Sequence, residues 1–275
     1  MGYIKPGRCV FTQRPGDFWE CVKVMCVMKK KHKCIVGMVI IVLSVVFALA
    51  LPACASDASN IFTVAIDPGH QARGNSQREP IGPGATEYKA KVAAGTRGAY
   101  TGIPEYQLVL DVSLQLRDEL TTRGFNVFMI RETHDVNISN RERAIMATTA
   151  GADIFVRVHA NGSSNSNARG IMTLSPSRNN PFIPDLYTQS RALSDHILVS
   201  MVSATGARNL GVLENDTMTG TNWSTVPVTI VELGFMTNPA EDRLMQTEEY
   251  QQKLVAGMAN GIEAFFAESF ARDRQ

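Results

Sequence analysis

After residue 55 the sequence contains no cysteine: Cys9, Cys21, Cys26, Cys34 and Cys54 all come earlier. That absence excludes disulfides and a thiolate nucleophile from residues 56–275, and any metal site there must be built from nitrogen and oxygen ligands. Positive charge is also short. Residues 56–275 carry 19 Lys and Arg against 24 Asp and Glu, a net charge of −5, which argues against a nucleic-acid surface. The glycines follow no phosphate-binding pattern. In "VAIDPGHQARGN" (64–75) a strand runs into an Asp-Pro-Gly turn, yet neither G-x-G-x-x-G nor G-x-x-x-x-G-K-[ST] is present. His70 at the end of that turn therefore needs its own explanation.

The first 55 residues differ in kind from the rest. Lys29, Lys30, Lys31, His32 and Lys33 form a basic cluster ahead of the apolar run "IVGMVIIVLSVVFALALPACA", which closes on Ala53-Cys54-Ala55, a small-x-small sequence of the type a signal peptidase accepts. Residues 1–55 are expected to be an N-terminal extension and export signal cleaved after Ala55. An uncleaved membrane anchor through residues 35–55 is the alternative, since the run is near the ~20 residues that span a bilayer. Lipidation at Cys54 fits less well because Pro52 suits a lipobox poorly, and a start at Met25 or Met28 would remove the preceding stretch. Residues 56–275 are long enough for one domain with a substantial core.

Five stretches rich in β-branched and aromatic residues read as strands: 61–67, 125–131, 153–159, 170–175 and 226–233. Helical patterns alternate with them. Leu108, Val112, Leu116 and Leu120 recur at i+4 before Arg123-Gly124, and Ser139-Asn140-Arg141-Glu142 has the form of a capping box. Leu193, Ile197 and Met201 mark a third helix, and Tyr250, Leu254, Met258, Ile262 and Phe265 a fourth that opens near Thr247-Glu248-Glu249. The alternation predicts a single α/β domain, with a mostly parallel or mixed central sheet flanked by helices on both faces. Residues 71–104, 161–169 and 215–225 fit no element and are expected to be loops, the first long enough to suggest a functional role.

The polar residues that matter fall at strand ends. His70 follows the first strand, His159 ends the third, and Glu232 lies near the end of the fifth; parallel strands would bring all three to one rim, where open α/β sheets bind ligands. Glu105, at the start of the first helix, is a fourth candidate. Singly, each histidine reads as a solvated strand end, and Glu105 as an acid favoured by the helix dipole. Glu232 is different, because an apolar strand reading "VTIVELGF" does not tolerate a carboxylate without a partner or a task. Two imidazoles and a carboxylate leave a tetrahedral zinc one open position for water, and a second carboxylate supplies a base.

Four segments in order, "AIDPGH", "PEYQLVLDVSLQLRDEL", "VHAN" and "TIVELGFMTNPAEDRLM", resemble the signature segments of the zinc-dependent N-acetylmuramoyl-L-alanine amidases of the amidase-3 kind, over about residues 61–267. The resemblance implies an α/β sheet flanked by helices and action on peptidoglycan. By it, His70, Glu105 and His159 would be zinc ligands and Glu232 the catalytic glutamate, in a protein that is secreted or held in the cell envelope. Two departures bear on the groove rather than the metal. Gln71-Ala72 stands where Gly-Gly is common, and the 71–104 segment before Glu105 is long.

Other residues have competing readings. Asn161 would hydrogen-bond substrate or merely terminate its strand, and Trp223 would stack on a sugar or peptide face or anchor its loop. Asp67 is expected to orient a histidine ligand, and Arg131 and Arg141 to make structural or surface salt bridges. Two rival functions stand beside the amidase: another zinc peptidase of the envelope, told apart by its cleavage products, and a noncatalytic wall-binding domain, which would be expected to have lost a ligand or the base. All four residues are present.

Overall fold

The computed structural model of the chain describes residues 61–273. The expected export signal, its cleavage after Ala55 and the anchor at 35–55 lie outside the described residues. A six-stranded mixed sheet organises the domain, built from β1 (Thr63–Pro68), β4 (Asn126–Met129), β5 (Ile154–Asn161), β6 (Ile171–Ser175), β7 (Asn209–Glu214) and β8 (Val228–Phe235). The order across the sheet is β4-β1-β5-β8-β6-β7. β4, β1, β5 and β8 are mutually parallel, β6 runs antiparallel to β8, and β7 is parallel to β6.

The helices are α1 (Glu105–Thr122), α2 (Asn140–Thr149), α3 (Tyr187–Thr205), α4 (Thr219–Asn222), α5 (Pro239–Met245) and α6 (Glu248–Asp273). α1 buries the expected stripe Leu108, Val112, Leu116 and Leu120 and stops at Arg123, with Gly124 in the left-handed region. The capping box opens α2: Ser139 accepts from the Glu142 amide while Glu142 accepts from the Ser139 amide. Burial of Leu193, Ile197, Met201, Leu254, Met258 and Ile262 against one sheet face forms the main core, each such side chain contributing roughly 1.5–3 kcal/mol.

Strand alternation assigns the two faces. Val64, Ile66, Ile154, Val156 and Val158 belong to the main core under α1, α3 and α6. Ala65, Phe155 and Val228 point the other way and pack with Ala144 and Ala147 of α2. Continuing along this second face by twos gives Asp67 on β1, Arg157 and His159 on β5, and Ile230 and Glu232 on β8. The face is apolar under α2 and becomes charged towards the carboxyl ends of the parallel strands.

The loops expected at 71–104 and 215–225 contain structure. Within the first, β2 (Asn75–Pro80) and β3 (Tyr88–Val92) form an antiparallel hairpin. Its residues, "NSQREP" and "YKAKV", are mostly exposed or half-buried, so no buried alternation marked it. The second contains the one-turn α4. β7 was also missed: it is an edge strand with Gly211 at positive φ and Leu210 and Leu213 exposed. α5 is a short helix started by Asn238, which accepts from the Ala240 and Glu241 amides, with Pro239 at its first position.

Candidate metal centre and active site

Three ligand-type atoms converge at the sheet rim. His70 Nε2 lies 3.0 Å from Glu105 Oε1, His159 Nδ1 lies 3.1 Å from the same oxygen, and the two ring nitrogens are 3.1 Å apart. Tetrahedral ligands at zinc bond lengths stand about 3.3 Å from one another, so the triangle fits a small divalent ion within a few tenths of an ångström. His70 Nδ1 donates to the Ala93 carbonyl at 2.9 Å, which turns Nε2 towards the cluster as the nitrogen offered to a metal. These three residues form the only such metal-type grouping among the described residues.

The backbone is shaped around the cluster. Glycine at 69 is required by space rather than by turn conformation: a Cβ there would sit 2.3 Å from the His159 ring. Its neighbour takes the unusual torsion, since His70, at φ 59°, is the one non-glycine residue in the left-handed region among those described. Gly95 combines both demands, with φ +81° and a Cβ position 2.9 Å from the His70 ring. Glu105 is clasped from two sides. Its amide donates to Thr96 O, its Oε2 accepts from the Thr96 amide, and Oε1 accepts from the Ala160 amide. The preceding turn is fixed by buried Asp242 of α5, which accepts from the Tyr100 and Thr101 amides and the Thr101 hydroxyl.

Beneath the turn lies an arginine network that sequence reasoning did not identify. Asp67 orients neither histidine; it is fully buried between Arg143, at 2.6 Å, and Arg157, at 2.9 Å. Burial opposes its ionisation, but the two guanidiniums hold its carboxyl well below the usual carboxylate range. Arg143 commits its donors to Asp67, the Ile138, Pro68 and His70 carbonyls and Gln71 Oε1. Gln71, the departure from Gly-Gly, thus ties the turn to α2, also accepting from the Ile138 amide. Arg131 is structural as expected, yet it binds the Pro68, Gly69, Tyr106 and Thr133 carbonyls rather than carboxylates. Arg157 could have been flagged by the reasoning applied to Glu232, because it interrupts the apolar strand "DIFVRVH".

Glu232 is the register partner of His159 on the adjacent strand and lines the same groove as the three ligand-type residues, a cavity of about 500 Å³. Its Oε2 is buried with no hydrogen-bond partner. Burial, reinforced by the Glu105 charge and opposed by Arg157, pushes the carboxyl up to about 8. Burial likewise pushes His159 down to about 4, against the pull of Glu105, so its ring is neutral and one ring nitrogen has its lone pair available to a metal. For Glu105 the burial penalty is outweighed by the adjoining His159 and His70 rings, and its carboxyl lies far below the usual range.

The remaining expected site residues separate. Asn161 lines the groove; its Oδ1 accepts from the Gly162 amide, and its amide nitrogen meets only the Met172 sulfur, at 3.6 Å. Trp223 is not brought to the groove. Its indole N–H donates to the Pro80 carbonyl, Arg141 covers its ring at 4.1 Å, and it lines a separate depression with Pro83 and Phe182.

Residues 64–264 match the protein family described as N-acetylmuramoyl-L-alanine amidase, Amidase_3. The chain belongs to this family. Among relatives of the amidase domain, the uncharacterized protein YqiI of Bacillus subtilis is 32% identical over 222 residues, covering 80% of this chain and 93% of YqiI. The N-acetylmuramoyl-L-alanine amidase Rv3717 of Mycobacterium tuberculosis is 28% identical over 237 residues, covering 82% of this chain and 97% of its own. The crystal structure of the N-acetylmuramyl-L-alanine amidase Ami1 from Mycobacterium smegmatis superposes with a TM-score of 0.68 at 27% identity, covering 76% of this chain and all of Ami1.

Proposed function

We propose that this amidase hydrolyses the amide joining N-acetylmuramic acid to L-alanine in peptidoglycan, with His70, Glu105 and His159 holding zinc and Glu232 as the catalytic glutamate. The observation that carries the assignment is the ligand triangle with Glu232 one strand away in the same groove. Zinc, when bound, supplies an acidified water and a Lewis acid for the scissile carbonyl.

The chain's own residues supply the proton traffic. Glu232 takes the proton of the attacking water and returns it to the departing alanine nitrogen, because an amine leaves poorly unless protonated. Its isolation suits both halves of that task. Oε2 has no competing donor, and a carboxyl raised towards neutrality is a stronger base once ionised and a competent acid once protonated. A cation held by the neighbouring ligands favours the ionised form that begins the cycle. Asn161 supports substrate through its amide N–H at the groove wall, whereas Trp223 acts as a loop anchor.

Peptidoglycan lies outside the cytoplasm, so this reading includes export directed by the basic cluster and apolar run before Ala55. A noncatalytic wall-binding role is disfavoured because both the ligand set and the base are intact. The deciding experiment is Glu232→Gln. The variant should retain zinc at one ion per chain by metal analysis and release no L-alanine-terminated peptides from purified cell wall by mass spectrometry, a loss in kcat of at least about a hundredfold. Wild-type turnover in that variant would remove Glu232 as the base.

A further inference from the structure

The groove has two chemically different halves. One holds the ligand triangle and Glu232. The other carries Lys89 of β3 and Arg157 of β5, together with Asn140, Thr217 and Thr219, and lines the same cavity as Glu232. Lys89 reaches across from the hairpin, its ammonium donating to the Thr217 carbonyl at 2.9 Å.

Arg157 is built into this half rather than draped over it. It is 3% exposed, and Gly220 has no side chain because a Cβ there would lie 2.5 Å from the guanidinium carbon. Its Nε donates to Asp67 Oδ2 and Nη2 to Asn140 Oδ1. A guanidinium has five N–H donors, so both Nη1 hydrogens and one on Nη2 remain uncommitted. The side chain lines the cavity with these donors unspent. Arg143 and Arg157 share the single buried carboxylate of Asp67, and the other carboxyl that Arg157 acts on is Glu232 in the same groove. Arg143 has spent its donors on Asp67, backbone carbonyls and Gln71, so the unspent guanidinium donors at the groove are those of Arg157.

We infer that Arg157, assisted by Lys89, is a specificity-determining group that binds a free carboxylate on the stem peptide of the substrate. The inference rests on the amidase reading. Arg157 stands two residues before His159 on the same face of β5, about 7 Å along the strand, which is the span of roughly two extended peptide residues. In a stem peptide the residue after L-alanine is a glutamate joined through its side chain, leaving its α-carboxyl free unless it is amidated. A forked guanidinium accepts the carboxylate bidentately and gains much less from a carboxamide.

The test uses the zinc-loaded protein and two N-acetylmuramoyl-L-alanyl dipeptides that differ only in that α-carboxyl, free in one and carboxamide in the other. The expected result is a kcat/KM for the acid about ten- to a hundredfold above that for the amide. In Arg157→Gln the preference should fall to near unity with zinc content unchanged. Should that variant fail to fold, Arg157→Lys keeps a charge beside Asp67 and should still lower the preference severalfold. Equal cleavage of both dipeptides by the wild type, or undiminished preference in a folded Arg157 variant, overturns the inference alone. Cleavage of neither overturns the amidase reading and this inference with it.

Discussion

Gly69 shows how tightly the site constrains single residues. A methyl group there collides with the His159 ring, not with a flexible chain end, so Gly69→Ala should push that imidazole out of the triangle. Zinc affinity measured by competition with a chelator is expected to weaken at least about tenfold while the far-ultraviolet circular dichroism stays that of the wild type. Glu232 gives a pH-dependent signature. In the metal-free protein its carboxyl is neutral up to about 8, whereas in the unfolded chain it ionises near its ordinary value of 4.5. Between those values the native state binds more protons than the unfolded state, so this group lowers stability as pH rises. Glu232→Gln removes the effect: in chelator its melting temperature should match the wild type near pH 4.5 and exceed it increasingly up to pH 8. A constant difference across that range would contradict the assigned burial. His70, Glu105, His159 and Glu232 were all legible as polar groups at the ends of apolar strands or at a helix start. Asp67 was misread because its partners, Arg143 and Arg157, are separated from it by 76 and 90 residues, and no local spacing discloses a three-body ion cluster.

Among the elements, the five strands with buried or half-buried faces and the four long helices were legible because burial imposes a period. The β2–β3 hairpin, β7 and α5 escaped because they are exposed, at an edge or short, and lack a hydrophobic repeat. The hairpin is nevertheless fixed to α2. Glu79 accepts from the Arg141 amide, and Asn140 donates to the Lys91 carbonyl while also bracing Arg157. The contact between α3 and α6 depends on glycine for closeness: a Cβ on Gly261 would lie 2.4 Å from the Ile197 Cα, and one on Gly257 2.6 Å from the Met201 Cα. These are backbone atoms, so the helices themselves must separate. Gly261→Val should cost about 1–3 kcal/mol by overpacking, read as a lower urea midpoint with an unchanged slope.

For the whole molecule, the three proposed ligand residues arrive from the end of β1, the start of α1 and β5, so zinc held by them would be linked to global stability. A thousandfold excess of zinc over its dissociation constant should add about 4 kcal/mol, visible as a rise in melting temperature that His159→Ala abolishes. Among the described residues no helix is long and apolar enough to cross a membrane. At the end of the sheet away from the groove, Phe62 stacks on Phe266 of α6 with ring centroids 4.0 Å apart. The first strand and the last helix are therefore neighbours although they are some two hundred positions apart in sequence. A circularly permuted domain, joined at this stacked pair by a short linker and opened in the exposed turn at 164–167, would bridge two positions that native packing already brings together.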